Sequence, residues 1–289
     1  MTNDDMRRVW SDNAAGWVQE EAVFDALFEP VTAAIVEELG VVEPGSRLLD
    51  VGCGTGTLMA EAEALGAAPV GIDISETMVE AARVRVPGAE VLAADAQTAD
   101  LLAAAPGAPF AHVISRFGVM FFADPAAAFA NLRRASAPGA RLTFACWRER
   151  DENPMFSLGF DALERRLDPP EPSEPGAPGP MAFADPDRLR SHLGSAEWGS
   201  VAIAPLDFVC DYSRLGGDGI EERIGTILAS TGGRTARARL LADLGPAGWE
   251  EVLDQVRADL RSRLVDGAVR FPGACWLVTA QDPRPGPAS

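Results

Sequence analysis

In the stretch "LLDVGCGTGTLM" (48–59), Asp50 is followed by three alternating glycines, Gly52, Gly54 and Gly56. A glycine loop directly after an apolar run brings backbone close to a ligand, because the missing Cβ permits sharp turns and close approach. Three ligands compete for such a loop: a dinucleotide pyrophosphate, an ATP phosphate, or a nucleoside-like molecule without phosphate. A phosphate-binding loop of the GxxxxGK[ST] type is excluded, since the chain has no lysine. A dinucleotide fingerprint spaces its glycines GxGxxG, one residue wider than here. The loop itself carries no basic residue and Asp50 precedes it, so a phosphate is poorly served. A ligand with a cationic amino-acid end suits it better, with Asp50 accepting from an ammonium directly or through water.

Two more carboxylates follow at matching places. Asp73 lies 21 residues after Gly52, at the tip of "VGID". There a carboxylate can accept from both hydroxyls of a ribose, and it disfavours a 2′-phosphate. Asp95, in "AADAQ", can accept from an adenine amino group, while Ala96 offers a backbone N–H and a small side chain beside the ring. Arg116, Trp147 and Arg148 at strand ends, and Trp10, Trp17, Glu20 and Glu21 near the N-terminus, are expected to face the same cleft. None declares itself a general base, so the catalytic residues stay unassigned. Arg116 either orients an anionic or carbonyl substrate or forms an ion pair with the sheet's neighbours. Trp10 and Trp17 either cover a ligand or staple two helices. His112, His192 and Tyr212, the single tyrosine, read mainly as structural.

The elements that position these residues alternate. "VFDALFEPVTAAIVEEL" spaces Val23, Leu27, Val31, Ile35 and Leu39 as a helix, which Pro30 is expected to interrupt. From 46 to 147, five short apolar runs alternate with helical stretches about every twenty residues, the pattern of a doubly wound parallel sheet. Ser75 and Asp124 are placed as helix caps, the latter followed by Pro125 at the first helical position. After Trp147 the alternation stops. A helix is expected over 153–167, then a proline-rich loop, "DPPEPSEPGAPGP" (168–180), too stiff and polar for a core. A helix over 185–196, a strand over 201–210 and mostly helix over 213–265 follow. A last strand, "AVRFPGACWLVTA", carries an expected bulge at Pro272–Gly273.

Composition narrows the classes. The net charge is −18 and the pI is about 4.5, with all 25 basic residues arginines. A nucleic-acid partner is disfavoured, because polyphosphate binding needs a basic surface. The first forty residues hold nine acids against Arg7 and Arg8, either a solvated helical face or a lid that prefers neutral or cationic substrates. The four cysteines form no CxxC pair and only two histidines are present, so a zinc site is not expected. The start lacks the apolar core of a signal peptide, and no run of about 18 apolar residues occurs to span a bilayer. A cytoplasmic protein with no membrane partner is expected.

With these residues in series, "LLDVGCGTG", "VGIDIS", "AADAQ" and "VISRFGVMFFADPAAAFANLRRASAPGARLTFACW" resemble the successive motifs of class I S-adenosylmethionine-dependent methyltransferases. The nearest likeness is to the bacterial small-molecule group related to quinone-biosynthesis C-methyltransferases. It covers roughly residues 45–150. The resemblance implies an α/β, Rossmann-like seven-stranded sheet of order 3-2-1-4-5-7-6, strand 7 antiparallel, with a mostly helical lid. It implies an N-terminal helical lid over 1–40 and a cofactor-binding core over 41–150. Lid insertions with one further strand near 200–211 would fill 151–267, and a final strand and tail 268–289. S-adenosyl-L-methionine would be the cofactor and S-adenosyl-L-homocysteine the product. Its binding residues would be Asp50, Gly52, Cys53, Gly54, Asp73, Ile74, Met78, Asp95, Ala96, Ser115 (through its carbonyl) and Trp17, with no metal. His112 departs from the family, which usually has aspartate at the start of strand four. The implied reaction is methyl transfer to O, N or C of a small organic acceptor. The alternatives are a cofactor-binding protein with a non-methylating activity and, behind it, an NAD-dependent oxidoreductase. Neither the acceptor nor the oligomeric state is legible.

Overall fold

Two helices open the chain, α1 (Asn3–Gln19) and α2 (Glu21–Leu39). α2 runs through Pro30 without a break, against expectation. A proline inside a helix costs about 3 kcal/mol. Here Phe24, Leu27 and Phe28 before it, and Val31, Ile35 and Leu39 after it, are all buried on one stripe. Burial of both halves against the same sheet outweighs the lost hydrogen bond.

The alternating region then forms β1 (Arg47–Val51), α3 (Thr57–Ala64), β2 (Ala68–Asp73), α4 (Glu76–Arg85) and β3 (Glu90–Ala93). A short α5 (Leu101–Ala104), β4 (Phe110–Arg116), α6 (Pro125–Ala135) and β5 (Ser136–Trp147) complete it. Both expected caps are present. The Ser75 hydroxyl accepts from the Met78 N–H, and the Asp124 carboxylate accepts from the Ala127 N–H. Beyond β5 come α7 (Pro186–Ser195), β6 (Gly199–Asp211), α8 (Ile220–Ala229), α9 (Thr231–Ser262) and β7 (Arg270–Gln281). Gly245, at φ 69° and ψ 178°, kinks α9 before Pro246. This computed structural model describes residues 3–104, 109–160, 163, 165–167 and 174–285. None of the described helices is long and apolar enough to cross a membrane.

The strands form one sheet of order β3-β2-β1-β4-β5-β7-β6. β7 is antiparallel to both of its neighbours, and the other pairings are parallel. α2 and α3 cover the face that carries Leu48, Ile114 and Ala145. α6 and α7 lie over the opposite face, against Val113, Leu142 and Phe144. Because the first strands are parallel, the C-terminal ends of β1, β2, β3 and β4 share one edge, where ligands of open α/β sheets bind.

Two expectations beyond β5 are corrected. The expected bulge at Pro272–Gly273 is absent, since β6 and β7 stay in register through Val209↔Pro272 and Phe208↔Gly273. The N–H and C=O of Ala274 turn away from β6, toward Asn153 and Arg148. Pro272, two residues earlier, turns its nitrogen the same way, past the last β5 pair Trp147↔Cys275, where no ladder bond is needed. The helix expected over 153–167 starts instead as a 3-10 turn, Pro154–Phe156, and Gly159 at φ 84° bends the chain after it. Asp161, Ala162 and Glu164 of that stretch lie outside the described residues.

The fully buried Asn153 carries on the sheet's bonding where β5 ends. Its amide donates to the carbonyls of Glu149 and Ala274, both at 3.0 Å, and its oxygen accepts from the Ala274 N–H at 2.8 Å. Asn153→Ala leaves the Ala274 N–H buried and unpaired, while the Ala274 carbonyl keeps the Arg148 N–H. We expect a loss of about 1–3 kcal/mol in urea unfolding at neutral pH.

Candidate functional site

The glycine loop takes the left-handed turns that its composition permits. Gly52, Gly54 and Gly56 stand at φ 65°, 54° and 88°. A Cβ on Gly52 would lie 2.7 Å from the Cα of Gly118, so the loops after β1 and β4 meet backbone to backbone. A Cβ on Gly54 would meet nothing within 4 Å and would project into open space. Ser115 staples this junction. Its buried hydroxyl donates to the Val51 carbonyl at 2.6 Å and accepts from the Gly118 N–H at 3.1 Å. The Cys53 thiol packs with Met59, Val79 and Ala82 beneath the loop, and burial pushes its pKa well up.

Asp50 is 1% exposed, and among the described residues neither carboxylate oxygen has a hydrogen-bond partner. Burial raises its pKa to about 7; Arg116 pulls it down and Asp73 pushes it up. Asp73 is also buried, but it is held. One oxygen accepts from the Gly54 N–H at 3.0 Å and the other from the Ser75 N–H at 2.9 Å. Burial still raises its pKa, against those bonds and one from Ile74. With three donors on its roughly four lone-pair sites, the carboxylate keeps one to offer. Ile74 stands half-buried just beyond, and Met78 is buried one turn into α4.

Asp95 and Ala96 follow β3 on the same edge. The Asp95 carboxylate accepts from the Gln97 N–H at 2.9 Å and from the side-chain amide of Asn3 at 2.6 Å. The start of α1 therefore rests on the carboxylate expected to read adenine. Sequence reasoning missed Asn131, whose buried amide donates to the carbonyls of Ala96 and Ala99 and fixes that loop. The signal was available: Asn131 is a polar residue within the buried stripe Ala128, Leu132 and Ala135 of α6.

Aromatic rings join the N-terminal helices to the strand ends. Trp17 stacks on Phe24 with ring centres 3.9 Å apart, and Trp10 meets Phe121 edge-on at 4.9 Å. Both thus staple elements together. Phe117, also missed, stacks flat on Trp147 at 4.5 Å and meets Phe28 edge-on. Its φ of 66° is left-handed, a strain of about 1–3 kcal/mol held by the surrounding packing. Of the proline-rich segment, residues 168–173 lie outside the described residues, while Gly179 donates to the Met120 carbonyl at 3.0 Å close by.

The candidate charged residues are engaged elsewhere. Arg116 donates to Thr32 at 2.7 Å and pairs with Asp25 at 3.4 Å, which resolves its two readings in favour of the ion pair. Arg148 pairs with Glu152 and Asp207. Glu21 pairs with Arg85, and Glu20 accepts from Gln19. The Tyr212 hydroxyl is buried between Thr226 and Arg223. His112 sits near the start of β4, the end remote from the site, and His192 lies beside Phe183 on α7. Burial lowers the pKa of both.

Sheet order, glycine loop and three strand-end carboxylates describe a doubly wound α/β protein whose strand-end edge is lined with anions. A family model described as a methyltransferase domain matches residues 49–144. A ubiquinone biosynthesis O-methyltransferase of Hahella chejuensis is 31% identical over 152 residues, 52% of this chain and 63% of that protein. A demethylmenaquinone methyltransferase of Corynebacterium kroppenstedtii is 32% identical over 169 residues, 55% of this chain and 70% of that one. The fold is shared with phosphoethanolamine N-methyltransferase 2 of Haemonchus contortus, solved in complex with S-adenosyl-L-methionine (16% identity, TM-score 0.50, 92% of this chain and 57% of that one). The chain belongs to the class I S-adenosylmethionine-dependent methyltransferases, of the group related to quinone biosynthesis. Membership implies S-adenosylmethionine as cofactor.

The residues present fit that molecule. A partnerless buried carboxylate suits its ammonium, and the open space over Gly54 suits the approach of its backbone. The unpartnered Asp50 also has a stability cost. Its folded pKa lies above the unfolded value of 3.8, so the folded state keeps a proton that the unfolded state releases. Its ionisation therefore destabilises the ligand-free protein increasingly as pH rises from about 4 to about 7. Asp50→Asn removes this burden. In urea unfolding without ligand, we expect the variant to match wild type near pH 4 and to exceed it at pH 8.

Proposed function

We propose that this protein transfers the methyl group of S-adenosylmethionine to O, N or C of a small, largely apolar acceptor. The observation that carries the reading is the buried, unpartnered Asp50 carboxylate beside the open face of Gly54. In this reading Asp50 takes the ammonium of the donor, with Gly52, Cys53 and Gly54 giving backbone along its amino-acid end and the Ser115 carbonyl completing that end. Asp73 takes the ribose hydroxyls. Ile74 and Met78 flank the adenine, and Asp95 and Ala96 read its edge, where the adenine amino group replaces the amide of Asn3. Trp17 closes the roof.

When bound, the cofactor supplies a methyl group on a sulfonium, already an activated leaving group. The chain's part is to hold the acceptor in line with that methyl at near-attack distance and to keep water out. The half-buried Phe117, backed by the buried Phe28 of α2 and Trp147 of β5, offers a rigid apolar face for this. Arg116, Arg148 and Glu21 are committed to ion pairs, so the reading favours positioning over proton abstraction. An acceptor with apolar, planar surface suits such walls. The four cysteines are free and buried, which supports action in the reducing cytoplasm.

Calorimetry with S-adenosylhomocysteine tests the reading. Wild type should bind, and Cys53→Ala should stay within a few-fold of it. Gly54→Val, which fills the open face and strains a left-handed turn, should lose about 100-fold or more, near 2.7 kcal/mol. A wild-type protein that does not bind, or a Gly54→Val variant that binds as wild type does, sinks the proposal. Methylated product from a panel of small apolar acceptors, detected by mass spectrometry, identifies the acceptor class.

A further inference from the structure

Asp50 and Arg116 lie on one face of the sheet. Asp50 of β1 pairs with Ile114 of β4, and Arg116 is the next residue of β4 on that face. Arg116 makes no hydrogen bond to Asp50. Its donors go to Thr32 at 2.7 Å and to Asp25 and Thr57, both at 3.4 Å. Asp25 is gripped in turn by Arg85 at 2.6 Å and by the Thr57 hydroxyl at 2.6 Å. Two residues of α2, with Thr57 of α3, thus hold the guanidinium back from the nearest unpaired carboxylate.

We propose that Arg116 is a positioning residue for the donor: held off Asp50 by Asp25, Thr32 and Thr57, it favours the charged form of that carboxylate from a distance and leaves its oxygens open to a ligand ammonium. This rests on the reading of Asp50 given above and adds how the site maintains it. A direct Arg116–Asp50 salt bridge would ionise Asp50 equally well and block it. A carboxylate buried with no cation behind it would take up a proton and lose its attraction for the ammonium. The arrangement satisfies both demands, because charge acts through space and a hydrogen bond does not.

The charged groups acting on Asp50 are Asp73 at the tip of β2 and Arg116 on β4; Asp25 of α2 and Arg85 of α4 act in turn on Arg116, and the Cys53 thiol lies near both carboxylates. Burial raises the Asp50 pKa and Arg116 is the largest opposing influence. The ionised form binds the ammonium, so affinity should rise with pH and level off above the Asp50 midpoint. Neutralising Arg116 should move that midpoint up. Neutralising Asp25 removes an anion and frees Arg116, and should move it down.

The experiment is titration calorimetry of S-adenosylhomocysteine, and of methylthioadenosine, which lacks the amino-acid end, between pH 5.5 and 8.5 on the full chain. For Arg116→Gln we expect the S-adenosylhomocysteine midpoint to rise by about one pH unit, giving about tenfold weaker binding on the acid side and a gap that closes upward. Arg116→Lys should restore the wild-type midpoint. Asp25→Asn should lower it, which keeps the test decisive if Arg116→Gln does not fold. Methylthioadenosine should bind all variants with little pH dependence. A uniform loss at every pH, affecting both ligands alike, makes Arg116 merely structural and overturns the proposal, as does an unchanged midpoint in Asp25→Asn. If Asp50→Asn keeps the wild-type affinity and pH profile, it is the reading of Asp50 as the ammonium site that fails.

Discussion

Burying Asp50 at the tip of β1 obliges the surrounding structure to compensate a charge and to leave a gap in the same place. Removing a carboxylate from water costs several kcal/mol even after relaxation. A protein selected for stability alone would pair it or replace it. Here the sheet brings β4 beside β1, so the arginine that ends β4 faces the carboxylate that ends β1. The helix that covers this face then supplies Asp25 and Thr32, which catch the arginine before it reaches Asp50. Strand order, helix placement and the orphaned carboxylate are one arrangement.

The same helix builds the apolar side of the site. Phe24 and Phe28 lie on α2 among Asp25 and Thr32, and they carry Trp17 and Phe117 on their faces. A displacement of α2 would disturb the charge clamp and the aromatic wall together. That is a physical reason for the helix to stay whole through Pro30. The left-handed Phe117 has a similar logic. The Cβ-free contact of Gly52 with Gly118 pulls the chain after β4 against β1, and Phe117 must take an unfavourable backbone turn to let Gly118 arrive. Stacking on Trp147 offsets part of that strain.

Those features of the site that follow from period and position were legible in the sequence. Parallel strands alternating with helices put every strand's C-terminal end on one edge, so Asp50, Asp73 and Asp95 could be placed there from spacing alone. The swap of β7 between β5 and β6 came from family resemblance, because no local pattern encodes which strand inserts. Pro30 and Pro272 were misread because local rules price the lost N–H and not what surrounds it. For Pro30 that was a continuous buried stripe, and for Pro272 a nitrogen facing past the end of β5. Asn131, Phe117 and Asn3 were missed for a different reason. Their roles depend on contacts across 35, 30 and 92 residues of chain, to Ala96, Trp147 and Asp95.

The roof over the site is held unevenly along its length. Near the end of α1, Gly16 lies so close to α8 that a Cβ would sit 2.9 Å from the Ala229 Cα, and the buried Asn13 donates to Thr231 at 2.7 Å. At the other end, the Asn3–Asp95 hydrogen bond and the edge of Trp10 on Phe121 hold the helix over the loops after β3 and β4. Each of these is a net contribution of about 1 kcal/mol. Backbone-close packing resists separation far more than a solvent-reachable hydrogen bond does, so the lowest-energy opening of this roof is at its N-terminal turn. The bond broken there frees the Asp95 carboxylate. The weakest hold on α1 is therefore at Asp95, the carboxylate that the proposed function gives to the adenine.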